Sequence, residues 1–118
     1  MTVTSNYVDN IKELLDRDMV AVPKEIVCAE VYEESKLMFA VLFTAAAEEL
    51  RNEKMLIYKL KQHMKFMLAE MSDYDVRAEC CCSASKVGIV RHEVKELIDT
   101  VDMRRCLNES EENNELRN

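Results

Sequence analysis

Glycine and proline are almost missing from this chain: Gly88 and Pro23 are the sole examples in 118 residues. Soluble proteins average about 7% glycine and about 5% proline, and the tightest β-hairpin turns depend on glycine. Their scarcity points to an all-α chain with short, glycine-free connections. Long apolar runs are missing as well. The longest, Leu37 to Ala47, has 11 residues, against the roughly 20 that a helix needs to cross a bilayer. It reads as a buried core helix, and no membrane association is expected.

The segment before the first amphipathic pattern has neither a basic region nor an apolar stretch, so no secretory signal is expected. The expected location is a reducing cytoplasm. Five cysteines, an odd number without an export signal, argue for free thiols and against a disulfide framework.

What is present is an uneven charge. The formal net charge is -7, with Lys and Arg 16 against Asp and Glu 23. Residues 1 to 53 carry 5 basic side chains against 11 acidic, and residues 69 to 118 carry 7 against 12. Between them, residues 54 to 68 hold four lysines and no acid. Wound as a helix, Arg51, Lys54, Tyr58, Lys61 and Lys65 fall at spacings of 3, 4, 3 and 4, forming one continuous stripe.

At this length the chain is expected to be one domain that folds without disulfides or a metal. Residues 1–107 are assigned to it, and 108–118, which are acidic and poor in apolar residues, to a polar tail. Four helical segments are expected. The first, 6–18, has Tyr7, Ile11, Leu14 and Leu15 on one face, with Ser5 or Asn6 as cap. The second, 23–51, starts at Pro23 and spreads Val27, Val31, Met38, Phe39, Leu42, Ala45 and Leu50 over a wide arc, as a central helix does. Its other side (Ala29, Glu33, Lys36, Ala40, Thr44, Ala47) is small and polar, a surface that is usually solvated but is also fit for the close approach of another backbone.

The third segment, 52–71, turns Leu56, Leu60, Met64, Met67, Leu68 and Met71 to the core, and Ser72 and Asp73 mark a stop and restart. The last, 85–107, places Val87, Val90, Val94, Leu97 and Val101 on a seam of coiled-coil spacing. Gly88 weakens that helix near its start by about 1 kcal/mol relative to alanine, which favours a start near Ile89. These elements predict a four-helix bundle-like domain. Met55 and Phe66 on the third segment, and Ile89, Met103 and Leu107 on the fourth, fall off the core faces. Two leftover apolar patches suggest completion by a homodimer.

The chemistry-bearing residues offer little to an enzyme. Cys80, Cys81 and Cys82, if helical, point about 100° apart and cannot converge on one tetrahedral ion, so they read as small hydrophobes. The pairs Glu30 with Glu33 and Glu96 with Asp99 resemble magnesium-binding carboxylates, but such pairs arise by chance in an acidic chain. His63 and His92 have no nucleophile at a suitable spacing. No glycine-rich loop cradles a phosphate. No cofactor, metal or catalytic residue is assigned.

The expectation is a small non-enzymatic interaction module, an adaptor or inhibitor of a partner or host protein that acts by occupancy, with Met55, Lys59 and Phe66 as contact residues. Acidic surfaces elsewhere would steer it toward basic patches. Compact helical chains of this kind are frequent among viral and phage host modulators, an association by type alone. The alternative is a dimeric helical binder of duplex RNA or DNA, whose phosphates the Arg51, Lys54, Tyr58, Lys61 and Lys65 stripe would track.

Overall fold

A computed structural model describes residues 8, 11–16, 31–50 and 56–107. Every regular element among them is helical: α1 (11–16), α2 (Tyr32–Glu49), α3 (Ile57–Glu70), α4 (Asp73–Cys80), a 3-10 turn (Ala84–Lys86), α5 (Val87–Thr100) and α6 (103–107). None of the described helices is long and apolar enough to cross a membrane. The expectations for Tyr7, the Pro23 start, Val27 and Ala29, and for the 108–118 tail, lie outside the described residues.

The centre of the fold is α2, which touches α3, α4 and α5. Val31, Met38, Phe39, Leu42, Phe43 and Ala46 are buried along it, with the Phe39 and Phe43 rings stacked at 6.3 Å. Ile11, Leu14 and Leu15 of α1 are buried in the same cluster. The seam Val87, Val90, Val94 and Leu97 of α5, with Val101 just past its end, is buried throughout. Burying one such side chain contributes about 1.5–3 kcal/mol, so seam and central helix supply much of the driving force.

The small, polar side of α2 is solvated only in part, since another helix approaches it. Lys36, Ala40 and Thr44, one turn apart, are all buried. A buried ammonium is tolerable only with charged partners. Lys36 Nζ donates to the Asp16 carboxylate of α1 and to Glu33 Oε1 at 2.8 Å, and lies 4.4 Å from the Tyr32 ring centre. Burial alone would lower the Lys36 pKa, but the hydrogen bonds to Asp16 and Glu33 outweigh it and hold the group above its ordinary 10.5. The α1 docking surface is therefore built around an ion pair.

The third segment is shorter than expected. Leu56 is extended (φ -98, ψ 133), so α3 begins at Ile57 and not at Asn52. The core face holds, with Leu60, Met64 and Leu68 fully buried, except that Leu56 is 45% exposed. The stop at Met71 and Ser72 is where it was expected. Ser72 Oγ accepts from Asp75 N–H at 3.1 Å, and Asp73 and Asp75 occupy the positive end of α4.

Three local expectations are corrected at the C-terminal end. Residues 73–80 form a helix of their own, although only Val76 and Cys80 of it are buried. Gly88 does not delay α5, which starts at Val87, because buried Val87 and Val90 anchor that first turn. The last segment is broken at Val101 (φ -72, ψ 141). There the Asp102 carboxylate accepts from Arg104 N–H at 3.1 Å and Arg105 N–H at 3.4 Å, capping α6. The break folds Met103 and Cys106 into the core, so Met103 does not belong to an exposed patch.

Candidate protein-docking face

Two neighbours fix the rotation of α3 about its axis. On one flank, Lys65 Nζ meets Asp99 Oδ1 of α5 at 2.6 Å. On the other, the His63 ring hydrogen-bonds the Glu49 carboxylate of α2. With Leu60, Met64 and Leu68 facing inward between these contacts, Lys59, Gln62, Phe66, Ala69 and Glu70 face solvent.

Within that face Tyr58, Gln62, Phe66 and Ala69 recur at i, i+4, i+8 and i+11, and all four are exposed. They form an uncharged stripe with Tyr58 72% and Phe66 60% exposed. Aromatic side chains are enriched in the buried centre of protein contact surfaces. Lys59 borders the stripe near its N-terminal end and Glu70 near its C-terminal end.

Of the expected partner-contacting residues, Lys59 and Phe66 share this face, while Met55 lies outside the described residues. Of the basic stripe, Arg51 and Lys54 also lie outside them. Tyr58, Lys61 and Lys65 do run along one flank of α3, but Lys65 is engaged by Asp99 and Lys61 is half-buried. An acid at 2.6 Å offsets the charge that a phosphate contact would use. Gln62 and Ala69 were not picked out from sequence, although counting four residues either way from Phe66 finds Gln62 and Glu70.

The second apolar patch disperses. Met103 is buried and Leu107 is half-buried, leaving Ile89 at 44% exposure. Ile89 lies two residues before Arg91, whose guanidinium binds α3. It therefore points about 200° away from that contact.

The cysteine run is not one helical face. Cys80 ends α4, Cys81 caps it in the left-handed region (φ 59, ψ 28), and Cys82 follows in irregular backbone. Cys80 and Cys82 are buried and Cys81 is exposed, so packing accounts for two of the three thiols. Cys80 Sγ lies 3.0 Å from the Val76 carbonyl as donor. Burial, reinforced by a hydrogen bond with Cys82, pushes the Cys80 pKa up to about 12. A thiol held neutral is a poor nucleophile and a poor metal ligand.

Glu30 lies outside the described residues, Glu33 binds Lys36, and Asp99 binds Lys65. Among the described residues no group of three His, Cys, Asp or Glu is placed to hold a metal ion. Among the described residues Ser35 Oγ, Thr44 Oγ1 and Glu93 Oε2 are buried without a hydrogen-bond partner, on two different helices. His92 approaches Glu96 of its own helix at 4.0 Å.

No known protein family, no curated protein and no solved structure matches this chain.

Proposed function

We propose that the protein is a non-enzymatic interaction module, an adaptor or inhibitor that acts by occupying another protein's surface through the outward face of α3. The observation that carries this reading is Phe66, 60% exposed at the middle of a helix whose inner face is fully packed. Leaving a phenylalanine in water forgoes on the order of 2 kcal/mol of burial free energy, which a partner would recover.

In this reading α1, α2, α3 and α5 are the four helices of a bundle, and α4 packs against α2 and α5. The Asp16 to Lys36 pair supports the placement of α1 on α2. A second copy is not needed to cover the core faces, since Leu60, Met64, Leu68, Val90, Val94 and Leu97 are already at 0% exposure. A contact made for function therefore uses outward residues.

The test compares Phe66→Asp with Ile89→Asp in pull-downs from lysate, each scored against the wild-type chain. Phe66→Asp is expected to lower recovery of a specific partner at least tenfold, as loss of a central aromatic anchor does. Ile89→Asp is expected to leave it unchanged, with both variants retaining wild-type helical circular dichroism. Equal recovery by all three proteins would rule out the α3 face.

A further inference from the structure

We infer that the outward face of α3 is a self-association surface, pairing antiparallel with α3 of a second copy of this chain about a twofold axis. The inference rests on the reading of that face as a docking site and adds a second copy of the chain, which would compete there with a foreign partner. A twofold interface must be complementary to itself. This face has the polarity such pairing needs: Lys59 near its start, Glu70 at its end, and Phe66 close to the midpoint.

In the antiparallel register that sets Lys59 of each copy against Glu70 of the other, both ends form opposite-charge pairs. The two Phe66 side chains then straddle the axis about 4.5 Å apart along the helix direction, within the range of favourable aromatic contact. Parallel pairing would instead set Lys59 against Lys59 and Glu70 against Glu70. The helix dipoles also oppose each other in the antiparallel arrangement, which adds to the preference.

Size sets the expected strength. A 14-residue helix is about 21 Å long. Tyr58, Lys59, Gln62, Phe66, Ala69 and Glu70 offer six residues a side, against the roughly 20–30 of a standard interface. The pair is therefore expected to dissociate with a constant on the order of 100 µM, and to associate more weakly at high salt.

Sedimentation of the full chain from micromolar to millimolar concentration tests this. The mass is expected to rise from 13.7 kDa toward twice that value as concentration increases. Phe66→Asp is expected to weaken association at least tenfold. Lys59→Glu and Glu70→Lys, measured separately, each place like charges at both ends and are expected to dissociate. Their equimolar mixture restores both pairs and is expected to recover the dimer, while the loss in each single variant relative to wild type is the signature of antiparallel pairing, since a parallel pair is like-charged at both ends before either change. Circular dichroism of each variant monitors folding.

A mass of 13.7 kDa at every concentration would overturn the inference, as would a dimer indifferent to Phe66→Asp or a mixture no stronger than its components. A monomer whose Phe66→Asp variant still loses a foreign partner removes the second copy alone. A Phe66→Asp variant unchanged in both mass and partner recovery removes the docking face with it.

Discussion

Arg91 of α5 reaches across to Asp73, with its Nη2 2.9 Å from Oδ1, at the corner where α3 ends and α4 begins. The same guanidinium donates to the carbonyls of Leu68 and Met71, both at 2.7 Å. Carbonyls in the last turn of a helix have no partner within it, and a forked cation at that end also meets the negative pole of the helix. One side chain thus fastens three helices.

Replacing Arg91 with alanine removes those contacts and leaves partly buried carbonyls unpaired. The expected loss is about 2–3 kcal/mol in urea unfolding. Arg91→Lys should recover less than half, because an ammonium cannot span two carbonyls and a carboxylate with the geometry of a guanidinium. Asp73→Ala should cost less than Arg91→Ala, since that carboxylate is mostly exposed. Equal stability of wild type and Arg91→Ala would refute the fastening role.

The Lys36 cluster gives the fold an alkaline limit. A base whose folded pKa is raised contributes stability fully present below its unfolded value and lost as pH climbs through the folded one. Lys36 is raised above 10.5 by Asp16 and Glu33 against the opposing effect of burial. Tyr32 is raised above 10.0, first by burial, with Lys36 pulling the other way, and it acts in the same direction. Melting temperature should therefore hold up to about pH 10 and fall above it. Lys36→Met should show a smaller fall over that window, and identical alkaline profiles would argue against the cluster.

Gly88 sits inside α5 and is exposed, and a Cβ added there would meet nothing within 4 Å. Gly88→Ala should accordingly stabilise the protein by about 0.5–1 kcal/mol through the unfolded chain's lost freedom. A shift of the denaturation midpoint to lower urea would contradict this.

Among the cysteines described here, Cys81 alone is exposed, while Cys80, Cys82 and Cys106 are buried. Iodoacetamide at pH 8 should modify Cys81 of the folded protein and spare the other three, as read by peptide mass spectrometry. Cys80, with its pKa near 12, should stay protonated under those conditions. Comparable labelling of Cys80 and Cys81 would show that the α4 corner opens readily.

Periodicity carried much of the fold. The Val87 to Val101 seam, the Ile11, Leu14 and Leu15 face and the inner face of α3 were legible because apolar side chains repeating near 3.6 residues must share a side. Burial of Lys36 was not, because its main partner, Asp16, lies 20 residues away. The independence of α4 was hidden by its composition, with Val76 and Cys80 its buried residues. The break at Val101 carries neither glycine nor proline, and its signal is the small one of an Asp102 cap. At the candidate face, Phe66 stood out as a misplaced apolar residue, whereas Gln62 and Ala69 acquire meaning once Lys65 and His63 have set the rotation of α3.

The buried ammonium of Lys36 also acts as an address. Sliding α1 by a single turn along α2 would carry Asp16 about 5.4 Å from its partner and leave the buried ammonium with Glu33 alone. Apolar side chains tolerate many neighbouring registers at similar cost, but a carboxylate that must reach one buried ammonium favours a single register. The pair thus adds less to how firmly the two helices hold than to where they hold.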